Sequence, residues 1–190
     1  SGFSIVQGKL FTMGTRNGSE IIIALDAAKG GELWTAPIGK LLKNDWGDGP
    51  RGTPTVDENR IYALGGQGTL VCLQAASGKE IWRAGMQDLG GKTPGWGYTE
   101  SVLVDGQKVI CTPGGKKGAL AALDKKTGKP LWRSQDFTDD AQYSSPIVAE
   151  HNGARQYIQL TMQSLAGINA ADGKLLWRSA WPGRTAVIPT

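Results

Sequence analysis

The stretch ALDKKTGKPLW (Ala122 to Trp132) recurs along the chain without gaps, and its recurrence decides the fold. The other copies read ALDAAKGGELW (Ala24 to Trp34), CLQAASGKEIW (Cys72 to Trp82) and GINAADGKLLW (Gly167 to Trp177). In each copy a glycine stands four residues before the tryptophan: Gly30, Gly78, Gly128 and Gly173. Eight residues before it stands Asp26, Gln74, Asp124 or Asn169. The tryptophans are spaced 48, 50 and 45 residues apart, a period in the range of repeat architectures.

Between tryptophans the chain breaks into short apolar runs divided by turn residues. In the second unit these are GTPTVDEN (52–59), RIYALGG (60–66), TLVCLQA (69–75) and IWRAGM (81–86). Each run is too short for a stable helix and suits a strand. The turn before each tryptophan ends in Gly, as a type I turn closed by a left-handed residue requires, because a Cβ is penalised at positive φ. Each unit therefore reads as a four-stranded antiparallel meander. Runs such as Ile21-Ile22-Ile23-Ala24-Leu25 are apolar on both alternating faces and need cover on both sides. Radial stacking of meanders provides that cover and leaves only short edges exposed. The expected fold class is all-β: a β-propeller of about four four-stranded antiparallel blades. A solenoid of helical pairs would need 3.6-residue periodicity, which these runs lack.

Composition agrees. The chain has 190 residues, 39% of them apolar and 20% charged, with 28 glycines and seven tryptophans. That is enough to bury a core and too rich in glycine for a helical protein. No apolar run approaches the 18 or so residues of a membrane-spanning helix. The net charge of +4 comes from 21 basic and 17 acidic residues that are scattered along the chain. Nucleic-acid binders gather theirs on one element, so no nucleic-acid partner is expected. Cys72 and Cys111 sit in apolar runs and read as buried thiols.

The repeat resembles the tryptophan-docking motif of the quinoprotein propellers, the family that includes PQQ-dependent alcohol dehydrogenases and BamB-like outer-membrane assembly scaffolds. That pattern is Ala-x-Asp-x-x-Thr-Gly-x-x-x-Trp. Ala122, Asp124, Thr127, Gly128 and Trp132 match it fully, and Ala24, Asp26, Gly30 and Trp34 depart from it only at Lys29. Gln74, Gly78 and Trp82, and Asn169, Gly173 and Trp177, follow it more loosely. The resemblance implies one propeller region over residues 1–190, with blades near 2–39, 52–86, 98–135 and 143–181. Residues 184–190 (RTAVIPT) would open a fifth inner strand, like Arg51 to Val56. The family closes with seven or eight blades, so the chain is expected to hold about half of an eight-bladed ring. A closed four-bladed ring with RTAVIPT as an extra strand is the alternative, and a face-to-face pair of half-rings is a third.

The long connections are those from the outer strand of one blade to the inner strand of the next: 39–51, 87–97 and 135–142. Long loops gathered on one face mark a binding side, and its candidates are Trp46, Arg51, Trp96, Tyr98, Glu100 and Tyr143. Several apparent motifs carry no chemistry. The GxGxxG at 47–52 contains Pro50 and opens no helix. Asn17-Gly18 is a hairpin turn, His151 belongs to a turn facing water, and Asp139-Asp140 reads as a solvated pair.

Two functions remain open. One is a non-catalytic scaffold that binds a protein partner, or the missing half of its own propeller, with no catalytic, metal or cofactor residues. The other is a fragment of a PQQ- and calcium-dependent alcohol dehydrogenase. The vicinal cysteines of that enzyme family are absent here. Open blade faces invite self-association. The resemblance implies a periplasmic or exported bacterial protein.

A docking indole buries about 150–250 Å², worth roughly 4–6 kcal/mol at about 25 cal/mol/Å². Trp132→Ala is therefore expected to destabilise the protein by about 3–5 kcal/mol in a denaturant titration. An unchanged unfolding midpoint would remove the packing role.

Overall fold

The computed structural model describes residues 1–183 and Val187. Most of the expected fifth strand at 184–190 lies outside the described residues.

Four antiparallel sheets follow one another along the chain, and among the described residues there is no helix. The first blade is β1 (Phe3–Val6), β2 (Lys9–Arg16), β3 (Ser19–Asp26) and β4 (Glu32–Lys40). The second is β5 (Thr55–Asp57), β6 (Arg60–Leu64), β7 (Thr69–Gln74) and β8 (Glu80–Gly85). The third is β9 (Leu103–Asp105), β10 (Lys108–Cys111), β11 (Ala121–Asp124) and β12 (Pro130–Arg133). The fourth is β13 (Ile147–His151), β14 (Ala154–Leu160), β15 (Ser164–Asn169) and β16 (Leu175–Ala180). Strands pair in sequence order within every blade, giving plain meanders. The chain is thus a four-bladed stretch of β-propeller.

The core lies between blades. Phe11, Ile22, Ala24 and Ile38 of the first blade meet Ile61, Ala63, Val71 and Leu73 of the second. The alternate residues of the second blade, Tyr62, Leu64, Leu70 and Cys72, point the other way and meet Val109, Cys111, Ala121 and Leu123 of the third. Ile110 and Ala122 of the third then meet Tyr157, Ala166 and Ile168 of the fourth. The two-residue period of a strand thus sends successive side chains to successive interfaces. Both cysteines are free and buried in the middle interface.

Each motif turn opens on a side-chain oxygen that accepts a local hydrogen bond. Asp26 Oδ1 accepts from the Ala28 and Lys29 amides, and Asp124 Oδ1 accepts from the Lys126 and Thr127 amides and the Thr127 hydroxyl. Asn169 Oδ1 accepts from the Ala171 amide, while Gln74 Oε1 accepts from Ser77 Oγ. A motif glycine then takes φ of 70–78°, and the pairing register shifts just inside every turn. That is a bulge closed by a left-handed residue.

These glycines also form the seat for a neighbouring indole. A Cβ at Gly78 would stand 2.5 Å from the Trp34 ring, at Gly128 2.6 Å from Trp82, and at Gly173 2.5 Å from Trp132. Trp34 Nε1 donates to the Ala75 carbonyl at 3.2 Å, and Trp82 Nε1 to that of Lys125 at 3.0 Å. At the third seat the matching carbonyl, Ala170, accepts instead from Lys108 Nζ at 2.6 Å, and Trp132 Nε1 is buried without a partner.

At the inner radius, side-chain hydroxyls lace the blades together. Ser101 Oγ accepts from the Thr53 amide and Ser145 Oγ from the Ser101 amide, both at 2.9 Å. Ser4 Oγ donates to the Pro54 carbonyl and Thr55 Oγ1 to that of Val102. This explains why the run expected at 52–59 forms a strand only over Thr55–Asp57: part of its leading end bonds across to the next blade. Phe3 and Ile5 of the first blade and Ile147 of the last stay exposed, so the four blades do not close on one another.

Gly30 and Gly128 share nearly the same φ, 71° and 72°, yet among the described residues nothing lies near a Cβ at Gly30, whereas Trp82 fills that space at Gly128. Gly30→Ala is expected to cost about 1 kcal/mol from backbone strain alone. Gly128→Ala should cost about 1–3 kcal/mol more, because the indole must move. Equal losses in parallel chemical denaturation would exclude an indole seat.

Candidate binding face

The long connections follow β4, β8 and β12, and a buried acidic side chain pins each one. Glu20, on β3, accepts from the Leu42 amide through Oε1 at 3.1 Å and from the Gly66 amide through Oε2 at 2.8 Å. Burial raises the Glu20 carboxyl above its ordinary range, and the two amides partly offset this. Glu100 Oε1 accepts from the Thr112 amide at 2.7 Å. Asp139 accepts from the Thr161 and Ser164 hydroxyls through Oδ2 and from Arg178 Nη2 through Oδ1, each at 2.6 Å. The pair Asp139-Asp140 is therefore not simply solvated: Asp139 is buried and ties its loop to the fourth blade.

Arg51, Trp96 and Tyr143, one from each long connection, come together. Arg51 Nε donates to the Trp96 carbonyl at 2.8 Å and its Nη2 to the Gly47 carbonyl at 2.9 Å. The Trp96 and Tyr143 rings lie 5.5 Å apart, tilted by 39°. Trp46 stands apart from this group, 83% exposed. Its loop is nonetheless fixed: Asn44 Oδ1 accepts from the Trp46 amide, Asp48 Oδ1 accepts from the Asn44 amide, and Asn44 Nδ2 donates to the Gly95 carbonyl. Beside these loops, Lys92, Thr93, Pro94 and Gly95 face Asp140, Ala141 and Gln142 across a cleft of about 220 Å³.

Two candidates point inward instead. Tyr98 is buried between the second and third blades, its hydroxyl donating to the Pro113 carbonyl at 3.0 Å. Glu100 is also buried, and its Oε2 has no hydrogen-bond partner. The Tyr143 and Thr99 hydroxyls are likewise buried without partners. Sequence reasoning missed Glu20 and Asn44. The clue to Glu20 was an acid leading the apolar run Ile21-Ile22-Ile23.

The family model for the outer membrane protein assembly factor BamB matches residues 18–187. The chain belongs to the BamB family. The BamB of Kangiella koreensis is 30% identical over 53% of the chain and 22% of its own length. Quinohemoprotein alcohol dehydrogenase ADH IIB of Pseudomonas putida is 33% identical over 68% of the chain and 20% of its own length. The quinohemoprotein alcohol dehydrogenase structure from Comamonas testosteroni superposes with a TM-score of 0.66 at 19% identity, covering 95% of the chain and 35% of that protein. The BamB-family chain thus spans about a fifth of the length of the curated relatives it matches.

Both kinds of relative share this propeller, and only the dehydrogenase resemblance implies PQQ and calcium. Among the described residues no three His, Cys, Asp or Glu side chains converge as a cation-binding set. Glu20 and Asp139 are engaged by amides, hydroxyls and Arg178, whereas Glu100 keeps one oxygen unpartnered. No chemical step is assigned to a calcium-held quinone.

Burial pushes the Glu100 carboxyl up to about 7, against 4.5 in the unfolded chain. The folded state then binds more protons than the unfolded state between these values, so stability falls as pH rises through that window. The loss is about 3 kcal/mol at its limit. Urea titrations at pH 5 and pH 8 should show it, and Glu100→Gln should flatten the profile. An unchanged slope in that variant would show that the carboxyl is not the source.

Proposed function

We propose that this stretch of propeller is a non-catalytic binding scaffold that presents its long-loop face to a protein partner in the bacterial envelope. The observation that carries the reading is Trp46, an indole left in water on a loop held by four hydrogen bonds around Asn44, Asp48 and Arg51. Folding gains almost nothing from an indole in that position. Large aromatics on preorganised loops are the usual anchors of protein interfaces, because little entropy remains to be lost when they bind. The Arg51, Trp96 and Tyr143 group and the neighbouring cleft supply a mixed polar and aromatic surround. Membership in the BamB family supports a role in an envelope assembly, and no described helix is long and apolar enough to cross a membrane. The 33% identity to ADH IIB favours a second reading, a segment of a PQQ- and calcium-dependent alcohol dehydrogenase.

Trp46→Ala should leave the unfolding free energy within about 0.5 kcal/mol of wild type. It should abolish retention of a specific protein from a bacterial envelope extract by the immobilised chain, read by quantitative mass spectrometry. Identical retention by both proteins would overturn the scaffold reading at this face. So would dye-linked alcohol oxidation on adding PQQ and calcium, which would establish the second.

A further inference from the structure

The residue after the motif tryptophan is arginine in three of the four blades: Arg83, Arg133 and Arg178. Two of these have a carboxylate partner. Arg83 pairs with Glu80 on its own strand, and Arg178 pairs at 2.6 Å with Asp139 of the connection that precedes its blade. Arg133 has no carboxylate partner among the described residues. Its strand nonetheless pairs in the same register as that of Arg83, with Leu123 opposite Pro130 as Leu73 is opposite Glu80. Both positions that supply the counter-charge elsewhere are apolar here. Pro130 stands where the second blade has Glu80, two residues before the tryptophan. Leu89 follows Trp82 by seven residues, as Asp139 follows Trp132.

Both apolar residues line a cleft of about 500 Å³ whose wall is completed by Arg133, Lys116, Lys117, Gln135 and Asp88. That is three positive charges against one negative, an excess of two. Neither lysine has an ion pair among the described residues. Asp88 is turned toward its own turn, where a Cβ at Gly85 would stand 2.5 Å from its Oδ2. The cations are held in place. The Lys117 stem lies along Gly90, where a Cβ would stand 2.5 Å from its Cδ. The turn that carries both lysines is closed by the Gly118 amide, which donates to the Gly115 carbonyl at 3.0 Å. The Gly115 amide ties that turn to the next connection, donating to the Asp139 carbonyl at 3.1 Å. Arg133 donates from Nη2 to the Gly118 carbonyl, its Nε is buried without a partner, and burial lowers its pKa from the ordinary value. A partly buried guanidinium without a counter-charge is costly to a fold, and an anion from outside relieves that cost.

We propose that this cleft binds a phosphate monoester, with Arg133, Lys116 and Lys117 facing its oxygens. The excess of two positive charges matches such a group, which carries about −1.5 to −2 at neutral pH. A carboxylate, a sulfate ester or a phosphodiester carries a single charge and would leave the cleft under-compensated. Arginine's planar fork and lysine's mobile ammonium are both suited to phosphate oxygens. Leu89 and Pro130 offer apolar ground to the carbon part of the ester. The cleft shares no residue with Trp46 or with the Arg51, Trp96 and Tyr143 group, so it adds to the scaffold reading without depending on it.

Isothermal titration calorimetry of the purified chain with glycerol phosphate at low salt tests this. Flotation with phosphatidylcholine vesicles that contain phosphatidic acid asks whether the same group is taken from a lipid. Wild type should bind one or both saturably, and the single-charge controls, methyl sulfate and phosphatidylglycerol vesicles, roughly tenfold more weakly. Two variants probe the charges. Lys116→Gln combined with Lys117→Gln removes two exposed cations, and Pro130→Glu gives Arg133 the partner that Arg83 has. Each should weaken binding roughly tenfold or more. All three substitutions are at exposed positions, and unchanged thermal melts would show that the variants fold; one folded variant suffices. Binding of glycerol phosphate alone assigns a soluble ester, and binding of the phosphatidic acid vesicles assigns a lipid one. Binding of neither, equal binding of the controls, or binding indifferent to a folded variant would each overturn the site.

Discussion

An indole lying flat on a backbone that has no Cβ is the contact on which this architecture depends. Sheets apolar on both faces are stable only in a stack, and a stack needs something to fix the spacing and direction of its members. The motif glycine provides both. Its positive φ ends the turn, and its missing side chain lets Trp34, Trp82 and Trp132 approach the next blade's main chain to a distance no other residue permits. The Asp, Asn or Gln that caps the turn holds this seat in shape through local hydrogen bonds. Hydroxyl bonds near Thr53, Ser101 and Ser145 join the blades at the inner radius. With indoles outside and hydroxyls inside, neighbouring blades are joined at two radii.

Rigidity of that kind frees the loops for other work, and buried carboxylates govern them. Glu20, Glu100 and Asp139 sit at the roots of successive long connections. A buried charge is costly unless hydrogen bonds surround it. Asp139 is amply served, Glu20 partly so, and Glu100 keeps one bare oxygen. The three connections are thereby held against the scaffold while Trp46 stays in solvent. A fixed loop that carries a wet indole is the arrangement on which the proposed scaffold reading rests.

Family membership rests on most of the chain, yet BamB and the quinohemoprotein alcohol dehydrogenases share the propeller. The repeat cannot separate them, because the residues that define it face neighbouring blades. Any distinction must come from the loops. Those residues are the ones sequence reasoning handled least well.

The sequence by itself determined the repeat, the four-stranded units, the turn glycines and the order of the blades, because each depends on neighbours within about fifty residues. It also marked the long connections, whose lengths are visible in the spacing of the strands. Only the tertiary structure decided which loop residues face outward. Trp46, Tyr98 and Glu100 looked alike as candidates, yet one is in water and two are buried, Tyr98 between the second and third blades and Glu100 against Thr112. The same holds for Trp177, which bonds to Gln156 of its own sheet where Trp34 and Trp82 bond to carbonyls of the next blade.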